Sequence, residues 1–350
     1  MLEPDCLIPA VMHQPGGENI QLVVAEDDSG FHACLPVSRL ERWGHLPYPV
    51  VTSHVRRMTY LGTPLARAAT GDQAMHVVLS TLVGARRELG ARFFDLQWVT
   101  EEGPVARHIL HAAARLRLPV WTYESFERGL LLRESHDRWR RVPGQTPSEI
   151  RRRRRRLGEL LGGELALADV TDNPSAPRAY LDIEASGRKL ANGVATRAVA
   201  GESEYFVDMC RSFAARRRLH VLALAGGGKT VAMQVWIRAG SGIFLIKNSY
   251  HEEYRRFGAG VQLHLEAIDH FHRSTDAGWI DTCTYAGNDL LLDLYPQRRR
   301  ISSFLVGLGA PSDRVVLASY RAARAISHTV PGVRSRLRSA RHSPTDIHQT

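Results

Sequence analysis

Between residues 231 and 271 the alternation of apolar and polar positions changes three times. Residues 231–236 form an apolar, β-branched run, and after a Gly240–Gly242 turn residues 243–246 form a second. Two such runs joined by a short glycine turn predict an antiparallel hairpin. Lys247-Asn248-Ser249-Tyr250 follow, then a polar connector over 251–257 and the small-residue turn Gly258-Ala259-Gly260. From there Val261, Leu265, Ile268 and Phe271 recur at steps of three and four, the spacing of one helical face. The order is strand, polar loop, glycine turn, helix. A glycine turn that opens a helix presents unpaired backbone N–H groups and the positive end of the helix dipole, which suits a phosphate or pyrophosphate.

The rest of the chain alternates between the two periods. Residues 21–25 and 31–37 flank Glu26-Asp27-Asp28-Ser29-Gly30, a hairpin composition. Residues 58–61 read as a short strand. Asp72 is placed to cap a helix over 73–88, with Met75, Val78, Leu79, Leu82 and Val83 on one face. A strand at 93–99, a helix from Gly103-Pro104 to Leu116 and a strand at 120–123 complete an α/β half. Residues 138–147 form a basic, proline-containing connector. Beyond it Thr146-Pro147-Ser148-Glu149 has the form of a capping box, opening a helix that carries Arg151 to Arg156 and then Leu157, Leu160 and Leu161. Six consecutive arginines cannot share one helical face, so this segment is expected to be a solvated collar, not a focused anion site. A helix over 202–216 and a strand over 219–224 lead to Gly226-Gly227-Gly228. Gly228-Lys229-Thr230 resembles the end of a Walker A loop, but Ala223 stands where its first glycine belongs and the lysine precedes a strand. A hairpin tip is expected instead. Strands at 279–284 and 301–308 and a helix over 314–327 close the pattern.

Composition adds bounds. At 350 residues, with 44% hydrophobic and 23% charged positions, the chain accommodates two ordinary domains, and no apolar run approaches a membrane span. The acidic start Met1-Leu2-Glu3-Pro4-Asp5 lacks a signal peptide's basic and apolar regions, so a cytoplasmic protein is expected. The cysteines, at 6, 34, 210 and 283, form no CxxC pair, and neither a metal nor a disulfide framework is expected. Net charge is +10, yet only Lys189, Lys229 and Lys247 are lysines. An arginine bias with abundant alanine and glycine fits a GC-rich genome better than selection for nucleic-acid contacts, and nucleic acid is not the expected partner.

The segment KNSYHEEYRRFGAGVQLHLEAI resembles the cofactor-binding core of the GNAT acyltransferases, in which a strand leads through an Arg/Gln-x-x-Gly-x-Gly/Ala turn into a helix. Within that superfamily YLDIEASGRKLANG (180–193) and IDTCTYAGNDLLLDLYPQRRRISSFLVG (280–307) are similar to the CelD/BcsL branch, linked to bacterial cellulose and exopolysaccharide synthesis. The resemblance covers the C-terminal half well and the N-terminal half loosely. It implies an α/β (α+β) fold of two GNAT-like lobes with mixed, mostly antiparallel sheets flanked by helices. The division implied is a flexible lead at 1–17, a degenerate lobe at 18–140 walling a shared substrate groove, an acyltransferase lobe at 146–328 and a disordered basic tail at 329–350. It further implies acetyl-CoA as co-substrate and a sugar, glycan precursor or related small molecule as acceptor. The donor pyrophosphate would lie on Gly258, Ala259, Gly260 and Val261 with Arg255 or Arg256 beside it. Residues 243–249 would splay from their neighbour and polarise the thioester, placing Lys247 and Tyr250 at the reacting centre, with Tyr250 as acid to the thiolate. Glu184 is the first candidate for the base and Asp281 the second. Arg188 stands where this branch usually has tryptophan. A FemAB-like transfer from aminoacyl-tRNA and a non-catalytic GNAT-fold partner of a polysaccharide assembly are the alternatives.

Overall fold

The computed structural model describes residues 2–44, 47–135, 142, 144–285 and 289–329. In chain order its elements are α1 (Pro4–His13), β1 (Gln21–Asp27), β2 (Gly30–Leu40), β3 (Val50–Ser53), β4 (Leu65–Ala66), α2 (Gly71–Ala85), β5 (Phe93–Thr100), α3 (Pro104–Arg115) and β6 (Val120–Leu132). They continue as α4 (Pro147–Leu161), β7 (Ala166–Asp169), α5 (Ala176–Ala185), α6 (Arg188–Ala191), α7 (Glu202–Ala215), β8 (Leu219–Gly226), β9 (Lys229–Ala239) and β10 (Gly242–Tyr250). Last come α8 (Ala259–Ser274), β11 (Trp279–Asp281), α9 (Asp289–Leu294), β12 (Gln297–Gly307) and α10 (Asp313–Thr329).

The chain forms two compact units that do not follow a simple N- and C-terminal split. One comprises 1–7, 18–126 and 300–350; the other comprises 8–17 and 127–299. Within the lead expected at 1–17 stands α1, with its Cys6 and Ala10 buried, as is Leu2 just before it. Most of the expected 138–147 connector and the tail beyond 329 lie outside the described residues.

The first unit has the strand order β1-β2-β3-β5-β12, with β4 beside β2. Here β1–β2, β2–β3, β2–β4 and β5–β12 pair antiparallel, and β3–β5 pairs parallel. The amphipathic helices α2 and α3 bury Met75, Val78, Leu79, Leu82, Ile109 and Ala112 against Leu35, Phe94 and Leu96 of the sheet. Residues 58–61 are not a strand; they run as turn and coil, although Met58, Tyr60 and Leu61 are buried. Their apolar character marks core filling without ladder partners.

The second unit orders residues 127–132 of β6 with β11, β10, β9, β8 and β7. Here only β10 and β11 run parallel. The β8–β9 hairpin turns through Gly227 and Gly228 at φ 53° and 75°, with Lys229 paired to Gly226. That is the hairpin tip expected there, with no helix start to cradle a nucleotide. The helix α8 covers one sheet face through Val261, Ile268 and Phe271, packed with Trp236, Ile243 and Leu245. Each unit therefore has the expected mixed α/β character, a mostly antiparallel sheet flanked by helices.

Candidate active site

The site is built where β10 outlasts β11. Their parallel register covers only Gly242 to Phe244, opposite Trp279 to Asp281, and β11 then ends. β10 runs on to Tyr250, paired to β9 on its other side across an irregularity between Leu245 and Lys247. Lys247 to Tyr250 are thus part of the strand that leads to the turn. Past Phe244 the β11 side of β10 is left without a β11 partner.

At the end of β10 the polar connector coils into a 3-10 helix (Glu252–Phe257), which stops at Gly258. Gly258 has φ 69° and is the N-cap of α8 with no side-chain cap. A left-handed backbone costs glycine nothing, which explains the residue at this point. With no cap, the first N–H groups of α8, from Ala259, Gly260 and Val261, are those that a helix start leaves without intrahelical acceptors. Gly260 is held close: a Cβ there would meet the Tyr250 ring at 3.1 Å. Arg255 and Arg256 are exposed on the 3-10 helix; Arg255 reaches Glu252 at 3.5 Å and Arg256 covers the Phe257 ring at 4.8 Å.

On one side of β10, Lys247 Nζ donates to Glu184 Oε1 at 3.1 Å and to Thr196 Oγ1 at 2.8 Å. Glu184, on α5 and only 3% exposed, also accepts the Thr196 N–H at 2.7 Å, with Lys189 Nζ at 3.7 Å and the Tyr180 hydroxyl at 3.4 Å. Burial works against its charge, but Lys247, Lys189 and the Thr196 donors outweigh that and hold the carboxyl down to about 2. A carboxylate so weakly basic does not take a proton near neutral pH. In this geometry Glu184 is the ion-pair partner of Lys247 and holds its ammonium in place.

On the α8 side a buried polar chain fixes Asn248. Trp236 Nε1, a donor only, bonds to Gln234 Oε1 at 3.0 Å, so the Gln234 amide nitrogen faces His264 Nδ1 at 2.9 Å. His264 Nδ1, also 3.0 Å from the Tyr295 hydroxyl, is then the acceptor, and Nε2 carries the hydrogen. Burial pushes His264 down to about 4, which keeps the ring neutral. Asn248, whose amide lies 3.2 Å from Nε2, must therefore turn its oxygen to the ring and its NH2 away.

Asp281 is not brought to this group. It is fully buried at the end of β11, bonded to Arg299 Nη1 at 2.9 Å and the Cys283 N–H at 2.8 Å, with Arg128 Nη1 at 3.8 Å. Both its oxygens are occupied by structural partners. The side chain of Arg188 lies outside the described residues.

The sequence reading missed one feature. α4 packs Leu157 and Leu161 against Tyr254, Ala259 and Leu263, and the Gln262 amide donates to Ile150 O at 3.0 Å. This docks the arginine helix on the glycine turn. Arg152, Arg153, Arg156, Arg256 and Phe257 then line a cleft of ≈ 300 Å³. Among the described residues, one Asp/His group has metal-ligand geometry: Asp169, His220 and His270, with ligand atoms within 4.8 Å of one another. Asp169 lies 3.4 Å from His220 and 3.9 Å from His270.

The strand that outlives its neighbour, the glycine turn and the helix define a class. Residues 145–286 match the family model described as an acetyltransferase (GNAT) domain. Among solved structures, the chain is similar to a conserved protein of unknown function from Bacteroides thetaiotaomicron, at 15% identity and TM-score 0.54 over 83% of this chain and 86% of that one. It is also similar to the C-terminal domain of a putative lysylphosphatidylglycerol synthetase from Agrobacterium fabrum, at 13% identity and TM-score 0.51 over 86% and 87%. A third likeness is to FemX, at 8% identity and TM-score 0.51 over 82% and 87%. At these identities the likeness is one of fold. No curated protein matches the chain in sequence. No helix among the described residues is long and apolar enough to cross a membrane.

Proposed function

We propose that this protein is an acyl-CoA-dependent N- or O-acyltransferase with acetyl-CoA as donor. The observation that carries the reading is that β10 outlasts β11 and runs into the Gly258 turn and the uncapped start of α8. In this reading the N–H groups of Ala259, Gly260 and Val261 hold the pyrophosphate, with Gly258 supplying the turn and Arg255 and Arg256 flanking it. The pantetheine arm lies along β10 past Phe244. The acceptor's nitrogen or oxygen attacks the thioester carbonyl, the C–S bond breaks, and the thiolate takes a proton from Tyr250. Lys247, oriented by Glu184, is the cation beside the reacting centre. Glu184 and Asp281 are both engaged, so the acceptor's proton leaves to water. A sugar or glycan-precursor acceptor, as in the CelD/BcsL branch, is supported by the sequence likeness over 180–193 and 280–307. A FemAB-like transfer from aminoacyl-tRNA is the second reading, kept open by the net charge of +10.

Acetyl-CoA should raise the unfolding temperature of the wild-type chain, because a ligand bound only by the folded state stabilises it. Gly260→Val places a branched side chain against the Tyr250 ring, and its affinity for acetyl-CoA, measured by calorimetry, should fall by about tenfold or more. A wild-type protein that gains no stability from any acyl-CoA would remove the reading.

A further inference from the structure

The six-arginine run of α4 does not behave as a uniform collar. Arg154 is tied down, donating to Leu165 O at 2.5 Å and pairing with Glu266 at 2.9 Å; Arg155 pairs with Glu159 at 3.3 Å. Arg152, Arg153 and Arg156, at helical steps of one and three, share a face turned to the glycine turn. Arg153 is braced by Gln145 at 3.1 Å, and its Nη1 would lie 3.9 Å from a Cβ on Gly258. Arg256 completes the group from the 3-10 helix. Among the described residues none of these four is within ion-pair distance of a carboxylate; Glu149, on the first turn of the same helix, offsets part of the charge of Arg152 and Arg153, and Arg156 and Arg256 have no such counter-charge beside them.

Such a cluster exceeds what a pyrophosphate diester on the α8 N–H groups requires. A phosphomonoester carries about −1.5 to −2 charge near neutral pH, and guanidinium forks bind its oxygens bidentately. Coenzyme A carries one such group, on its ribose, beyond the pyrophosphate. We propose that the cleft formed by Arg152, Arg153, Arg156 and Arg256 binds the ribose phosphomonoester of the donor, so that α4 selects coenzyme A over its dephosphorylated form. This rests on the acyl-CoA reading. A cleft of ≈ 300 Å³ suits one compact phosphate. An RNA acceptor stem would draw on phosphate contacts spread along a surface, and on α4 Arg154 and Arg155 are committed elsewhere.

Calorimetric binding of CoA, dephospho-CoA and a short RNA acceptor-stem mimic decides it, with wild type, Arg152→Ala/Arg156→Ala and the control Arg155→Ala. The first two arginines are exposed, and circular dichroism is to be measured on each variant to check that the fold is retained. Wild type should prefer CoA over dephospho-CoA by about ten- to a hundredfold, the scale of charge-assisted hydrogen bonds. The double variant should lose that preference by weakening CoA alone, and Arg155→Ala should keep it. Equal binding of the two nucleotides by wild type, or equal weakening of both in the double variant, would overturn the assignment while leaving the acyl-CoA reading intact. Binding of neither nucleotide would overturn both, and binding of the RNA stem alone would move the cleft to the aminoacyl-tRNA reading.

Discussion

Glu184 and Lys247 come from segments 63 residues apart and meet as a largely buried ion pair beside β10. Removing one charge of such a pair leaves the other uncompensated, a loss of about 3–5 kcal/mol, whereas removing both is far milder. Glu184→Gln should therefore lower stability in chemical denaturation by about that amount, and Glu184→Gln/Lys247→Met should recover part of it. The same substitution separates two roles. As a positioning residue, Glu184 should cost turnover in the Gln variant without removing a limb of the pH–rate profile. If the acidic limb, where protonation silences a base, vanished in the Gln variant, Glu184 would be the general base after all. The sequence marked both residues as special, Glu184 through its motif and Lys247 through the rarity of lysine, but not that they bond. Nor could the surroundings that make Glu184 a weak base be read from a linear pattern.

At the scale of elements, the helix boundaries written most firmly into the sequence are those with caps. Thr146 and Glu149 form the reciprocal bonds of a capping box, Glu149 Oε2 accepting the Thr146 N–H at 2.9 Å and Thr146 Oγ1 accepting the Glu149 N–H at 3.3 Å. Gly162 ends α4 at φ 76°. Thr146→Ala should shift the denaturation midpoint downward by about 1 kcal/mol. It should also weaken CoA more than dephospho-CoA, because α4 carries the arginines of the cleft. The arginine face was missed because the run was judged as a block. Counting only its i, i+1, i+4 subset, Arg152, Arg153 and Arg156, would have shown one stripe beside the Leu157/Leu161 stripe.

Over the whole molecule, mild acid should act on the two units in opposite directions. In the first, Asp95 accepts hydrogen bonds from Trp43, Gln97 and Tyr123, yet burial raises it to about 6. A carboxyl with a raised folded pKa contributes stability that is complete below its unfolded value of 3.8 and is lost as pH rises through about 6. In the second, His264 is depressed from 6.5 to about 4, so its contribution is complete above 6.5 and is lost as pH falls toward 4. Glu184 follows, losing its contribution between 4.5 and about 2. Going from pH 7.5 to pH 5 should strengthen amide protection in β5 and weaken it in β9 and α8, each by about 1–2 kcal/mol. Hydrogen exchange measured at both values checks this, and a parallel change in both regions would refute it.

What the sequence by itself determined is local. Period-two runs became β8, β9, β10 and β12, capped period-3.6 runs became α4 and α8, and the glycine turn at 258–260 fell where its backbone chemistry required. These follow from interactions within a few residues, so a linear pattern carries them. Tertiary structure decided the rest. It folded and partly buried α1 within the expected lead and divided the chain into discontinuous units, since a core is filled by whichever apolar surfaces can reach it. It ended β11 at Asp281 while β10 continued, and so separated Asp281 from the group it was expected to join. It brought the arginines of α4 to the turn that precedes α8. Each of these depends on contacts between residues tens or hundreds of positions apart, whose partners no local spacing names.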